Sequence, residues 1–66
     1  MQRFNMRLAA FLIKSGMKKK ELAVEIGVSP QAITEWLTRR RKIRRCNAET
    51  LVNFTNGYIT MKDCGY

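Results

Sequence analysis

Residues 21–36 read ELAVEIGVSPQAITEW, and the fold follows from how that stretch divides. Leu22, Ala23 and Ile26 fall on one side of a 3.6-residue period, which predicts a short helix over about Lys18 to Ile26. Gly27-Val28 then makes a tight turn. Ser29-Pro30 opens a second helix over about residues 30–38, because serine caps and proline at the first position gives up an amide that has no partner anyway. Ala32, Ile33, Trp36 and Leu37 form the inward stripe of that helix.

Two short helices cross closely only if a small residue lets them approach, a glycine permits the turn and hydrophobes lock the second onto the first. Ala23 is the small residue here and Gly27 stands four positions later. Leu22, Ile26, Val28, Ile33 and Trp36 are the locks. With all seven positions filled, the segment resembles the helix-turn-helix of the Cro and repressor (lambda-repressor-like) family of phage and bacterial regulators. That family also places a serine at the turn and often a tryptophan late in the second helix, as Ser29 and Trp36 stand in this chain. Beyond the motif, Cys46-Asn47-Ala48-Glu49 and Thr55-Asn56-Gly57-Tyr58-Ile59-Thr60 look like the closing helix and final turn of small Cro-like proteins. The resemblance thus covers nearly the whole chain and leaves no room for a ligand or catalytic domain. One departure is that many members begin the first motif helix with Thr-Gln, where this chain has Lys18-Lys19.

The resemblance implies an all-α bundle of four to five short helices. Residue by residue, the chain supports that as a single domain over 1–66. A first helix starts near Asn5, a plausible cap, and stops at Ser15-Gly16. Its unbroken apolar run LAAFLI (residues 8–13) predicts burial on more than one side. After the motif, Asn47 is placed to cap a last helix with Ala48, Leu51, Val52 and Thr55 on its inner face, and Asn56-Gly57 stops it. The tail YITMKDCGY fits two readings, a short strand over Tyr58–Met61 or one more helical turn capped by Thr60.

Charge points to the partner. Thirteen Lys and Arg against five Asp and Glu give a formal charge of +8 on 66 residues, a density that opposes folding by self-repulsion and suits a polyanion. Lys18, Lys19 and Lys20 sit in the first turn of a helix, where cations oppose the helix dipole unless a phosphate is held there. Arg39, Arg40, Arg41, Lys42, Arg44 and Arg45 follow the second motif helix without one acid among them. Both clusters are phosphate-binding candidates. With Ile33, Trp36 and Leu37 inward, Gln31, Thr34, Glu35 and Thr38 turn outward, and Ser29 and Pro30 stand at the tip that enters a groove first. Gln31 suits an adenine edge, Thr34 a thymine methyl and Glu35 a cytosine amino group. Glu35 is also four residues before Arg39, spaced for an ordinary helix ion pair.

The expected function is sequence-specific binding of double-stranded DNA by a cytoplasmic, nucleoid-associated repressor that occupies an operator. By resemblance it acts as a weak homodimer or one formed on DNA. Phe54, Tyr58, Ile59 and Met61 are candidate contacts between copies, or else ordinary core. An architectural or excisionase-like DNA-bending protein is the alternative. A membrane-active peptide would leave the turn glycine, the Ser-Pro cap and the inward tryptophan without purpose. Arg3 and Arg7 before LAAFLI only imitate a signal peptide, because Lys14 cuts the apolar run short. An enzyme is the least supported class. No histidine exists, and Cys46 and Cys64 form no CxxC or metal-ligand cluster, so no cofactor, metal or small-molecule ligand is expected. A disulfide between those cysteines is arithmetically possible, but a reduced pair is the expectation, since nothing marks the chain for export.

Overall fold

A computed structural model describes residues 4–66. Four helices follow in order, α1 (Phe4–Ser15), α2 (Lys19–Ile26), α3 (Pro30–Leu37) and α4 (Arg45–Phe54). No strand occurs among the described residues. The motif helices α2 and α3 pack on each other, with α1 against α3 and α4 against α2. Their shared core contains Phe4, Leu8, Leu22, Ala23, Ile26, Ile33, Trp36, Ala48 and Leu51, all buried. Among the other motif positions, Val28 packs on the edge of the core and Gly27 adopts φ 75°, the left-handed conformation an L side chain resists.

α1 buries Phe4 and Leu8 and half-buries Phe11 and Leu12, while Ile13 is exposed. Its apolar run is thus only partly enclosed. Gly16 ends it at φ 73°, as expected. Asn5, however, is not a cap but lies within α1, after Phe4. The Phe4 ring packs at a tilt on Trp36, 6.1 Å between centroids, and burying an aromatic ring outweighs a cap worth about 1 kcal/mol. α4 departs in the same way. It begins at Arg45, two residues before the expected cap Asn47, and the capping residue Arg44 makes no side-chain cap bond. Ile43, only 1% exposed, is drawn into the core immediately before it, and that anchor sets where the helix starts. Thr55 closes α4 buried, its hydroxyl donating to the Val52 carbonyl and accepting the Ile59 amide. Asn56 (φ 54°) and Gly57 (φ 85°) then stop the helix.

The strand reading of Tyr58–Met61 fails. Ile59 is fully buried, and Thr60 starts a capped turn in which its amide and that of Asp63 bond each other's side chains, both at 3.1 Å. The turn packs Cys64, 2% exposed, into the core. Of the readings offered for the tail, the helical turn is the one adopted. Arg3 of the signal-like start lies outside the described residues.

Both cysteines are free, Cys46 exposed and Cys64 buried. Burial, and secondarily the Asp63 carboxylate, push the Cys64 thiol from its ordinary 9.0 up to about 11. A raised folded-state value means that the neutral thiol stabilises the fold fully below pH 9 and that this contribution is lost as pH rises toward 11. Iodoacetamide in mild alkali is therefore expected to modify Cys46 readily and Cys64 slower by a factor on the order of 10² or more, since reaction requires opening the core. Mass spectrometry over time reads the difference; equal rates would place Cys64 at the surface.

Candidate nucleic-acid interface

The interface is built around α3. Ser29 caps it, its Oγ accepting the Ala32 amide at 3.2 Å, and Pro30 is its first residue. Ile33 and Trp36 are buried beneath, so the opposite face looks outward. Ser29, Pro30, Gln31 and Thr38 are exposed; Thr34 and Glu35 are half-buried. Two of the outward hydroxyls are engaged on the helix itself, Thr34 Oγ1 donating to the Pro30 carbonyl at 3.3 Å and Thr38 Oγ1 to the Thr34 carbonyl at 2.9 Å. Gln31 enters none of the side-chain hydrogen bonds of the helix, and its amide is open to an outside partner.

Thr38 is the C-terminal cap rather than the last helical residue, and beyond it the chain turns abruptly. Arg39 takes φ 63°. Its amide bonds the Trp36 carbonyl, while the Arg40 amide reaches back to the Glu35 carbonyl at 2.9 Å, the bonding that usually accompanies a glycine at the helix end. The left-handed turn also changes the expected ion pair. Arg39 leaves the helical path, and Glu35 instead stands 3.5 Å from Arg41 Nε. Arg41 is exposed, so that pair contributes little to stability.

Glycine is the residue that such a backbone favours. Arg39→Gly is therefore expected to raise stability by roughly 1 kcal/mol in urea unfolding, by removing left-handed strain. Arg39→Ala keeps the strain while deleting the cation, so it separates the backbone effect from the charge. A glycine variant no more stable than the parent would mean that the turn is unstrained.

The basic residues form two groups. Lys18, Lys19 and Lys20 are all exposed at the start of α2. Lys18 is the capping residue, but an ammonium has no lone pair to accept an amide, so only Glu21 contributes a bond, accepting the Lys18 amide at 2.8 Å. In the second group, Arg39, Arg41 and Lys42 line one cleft of about 200 Å³ with Phe4, Trp36 and Ile43. Arg40, Arg44 and Arg45 are exposed but lie outside it. Arg45 pairs weakly with Glu49, at 3.8 Å on a single turn of α4. Among the described residues no acid lies within salt-bridge distance of Arg39, Arg40, Lys42 or Arg44.

A model of the helix-turn-helix family matches residues 8–59. The chain belongs to the helix-turn-helix family. The match spans α1 through the turn after α4, so family membership and the geometry of α2 and α3 describe one unit. A helix-turn-helix protein of this kind binds double-stranded DNA and serves transcription regulation. A search of curated proteins and of solved structures found no match to the chain.

Three structural features of this helix-turn-helix protein escaped the sequence. Ile43 stands in a run of cations, yet it is core; its being the one apolar residue there was the available signal. Arg7 and Tyr66 gave none, since their contacts cross the chain: Arg7 Nη2 donates to the Tyr58 carbonyl at 2.8 Å, and the Tyr66 hydroxyl donates to the Ile43 carbonyl at 2.8 Å. No helix among the described residues is long and apolar enough to cross a membrane, and none of their acidic, cysteine and histidine side chains cluster as a metal site.

Proposed function

We propose that the chain is a Cro-like repressor that inserts α3 into the major groove of a short, two-fold symmetric operator and blocks transcription by occupying it. The observation that carries this reading is the outward face of α3, with Gln31 uncommitted at its exposed N-terminal end and exposed cations following its C-terminal end. Ser29, Pro30, Gln31, Thr34, Glu35 and Thr38 face the bases in this reading. Lys18, Lys19 and Lys20 hold phosphate on one side, and Arg39, Arg40, Arg41, Lys42, Arg44 and Arg45 hold it on the other. A phosphate at the start of α2 turns three dipole-opposing lysines into an asset. Arg39 supports the same reading, because a cation stands where glycine would strain the backbone less.

Two copies are needed. The longest extent of one copy is 26 Å, shorter than the roughly 34 Å between major-groove faces one helical turn apart. One copy therefore reads one half-site, and the pair forms weakly or only on DNA. Phe54, 38% exposed and edge-on to Phe11 at 6.2 Å, is the leading contact between copies, with the partly exposed Tyr58 and Met61 beside it. Ile59 is withdrawn from that set, since no part of it reaches the surface.

Selection of sites from a random duplex library at near-physiological salt tests the proposal. A symmetric consensus with half-sites about one turn apart is expected. Recovery of unselected or merely AT-rich DNA would favour an architectural protein that bends DNA with little sequence preference, and would end the assignment of α3 as a reader. On the selected site, Gln31→Ala is expected to leave folding intact and lose roughly 1–3 kcal/mol against the cognate base only. Equal loss on every sequence would make Gln31 a backbone contact.

A further inference from the structure

The last turn of the chain is tied down at both ends. Within it, Thr60 and Asp63 cap each other, the Cys64 amide bonds the Thr60 carbonyl at 3.2 Å, and the Tyr66 amide bonds the Met61 carbonyl at 2.9 Å. On one side α1 grips it: Arg7 donates to the Tyr58 carbonyl, lies over the Tyr58 ring at 4.7 Å, and brings its Nε within 3.5 Å of Asp63. On the other side Tyr66 reaches the basic segment. Its hydroxyl donates to the Ile43 carbonyl at 2.8 Å, and Lys42 Nζ stands 4.7 Å from its ring centroid.

That second contact adds a backbone tie to a segment otherwise anchored by the buried Ile43 side chain. The amides of Arg39 and Arg40 close α3, and the Arg44 carbonyl accepts the Ala48 amide of α4. Between them, over Arg41–Ile43, the Tyr66 bond is the hydrogen bond among the described residues that holds the backbone. Tyr66 is itself 45% exposed, so it contributes modestly to the core. A segment already ordered before binding spares the entropy of ordering its long cationic side chains at the moment of contact.

We propose that Tyr66 is a positioning residue for nucleic-acid binding. Its hydroxyl and ring hold Ile43 and Lys42 so that the cations flanking Ile43 are presented to phosphate, and the turn at residues 60–66, braced on α1 by Arg7, transmits that rigidity. The inference rests on the reading of the basic segment as a phosphate contact, and it adds the device that sets the segment's conformation.

A double-mutant cycle on the full chain, read by fluorescence anisotropy with a random-sequence duplex at fixed salt, tests it. Tyr66→Phe keeps the ring and removes the hydroxyl. In the parent chain it is expected to weaken binding roughly three- to tenfold, the worth of one hydrogen bond. In an Arg41→Gln/Lys42→Gln/Arg44→Gln background the same change is expected to cost less than about twofold, since the cations it places are gone. A merely structural role would lower the melting temperature and weaken both backgrounds equally; that result, or unchanged affinity in the parent, overturns the proposal. Nitrogen-15 relaxation on the free protein gives a readout independent of DNA. Backbone order parameters of Lys42, Ile43 and Arg44 from nitrogen-15 relaxation are expected to fall in Tyr66→Phe while those of α3 do not, and unchanged order parameters overturn the proposal too. Failure of the underlying reading looks different: the triple cation variant then binds duplex as tightly as the parent, with the same salt dependence.

Discussion

Trp36→Ala is expected to unfold the protein at ordinary temperature. Trp36 is 3% exposed, packs on Phe4 at 6.1 Å and belongs to the core that joins α3 to the rest of the bundle. Truncating a buried tryptophan removes its transfer free energy and leaves a cavity, together about 3–5 kcal/mol. A 66-residue chain has little reserve, roughly 3–10 kcal/mol in all at the usual stability per residue. The charge of +8 reduces it further through self-repulsion in the absence of a polyanion. Circular dichroism should therefore show lost helix and no cooperative transition, with partial recovery in excess duplex DNA if DNA binds the folded form. A variant that melts like the parent would remove Trp36 from the core. With 3% exposure the indole offers no face on which a base could stack.

The motif was legible because its signals are local. Leu22, Ala23 and Ile26, the turn glycine, and the Ser29-Pro30 start each act within a few residues of one another, and each is found where the pattern places it. Asn5 and Asn47 misled for a physical reason. A capping side chain is worth about 1 kcal/mol, whereas burying an apolar side chain contributes about 1.5–3 kcal/mol, so Ile43 sets the start of α4, and Asn5 lies inside α1 beside the buried Phe4. In the tail, the alternation of Tyr58 to Met61 imitates a strand, but Ile59 and Cys64 are the residues that reach the core, and the Thr60–Asp63 cap closes a turn between them. The contacts of Arg7 with Tyr58 and of Tyr66 with Ile43 join residues 51 and 23 positions apart, a separation over which periodicity carries no information. The candidate site divides along the same line. The outward face of α3 followed from knowing its inward face, while the path of the basic segment depended on Ile43, on Tyr66 and on the left-handed Arg39.

Neutralising Arg40 and Arg41 together is expected to weaken binding to every duplex, cognate or not, by roughly tenfold or more at low salt. Both residues are exposed just past the end of α3, and neither is part of the core, so the fold should survive. The Glu35–Arg41 pair that is lost is solvent-exposed on the arginine side, and such pairs are worth about 0–1 kcal/mol. Removing two like charges from a chain of +8 offsets that loss. An Arg40→Gln/Arg41→Gln variant should accordingly melt close to the parent, which separates binding from stability. The more specific signature is the salt dependence. Each phosphate released from an arginine flattens the slope of log affinity against log salt by about 0.9, so two lost contacts should flatten it by nearly two units. Base preference in the selected site should not change, because phosphates repeat identically along every sequence. An unchanged slope would take Arg40 and Arg41 off the DNA and leave Arg39, Lys42, Arg44 and Arg45, with Lys18, Lys19 and Lys20, as the remaining candidates for the backbone grip. A slope change of only one unit, with affinity still reduced, would leave one of the two arginines on phosphate, and the single Arg41→Gln variant then decides between them: an unchanged slope there leaves Arg41 with Glu35, holding the end of α3 rather than the phosphate.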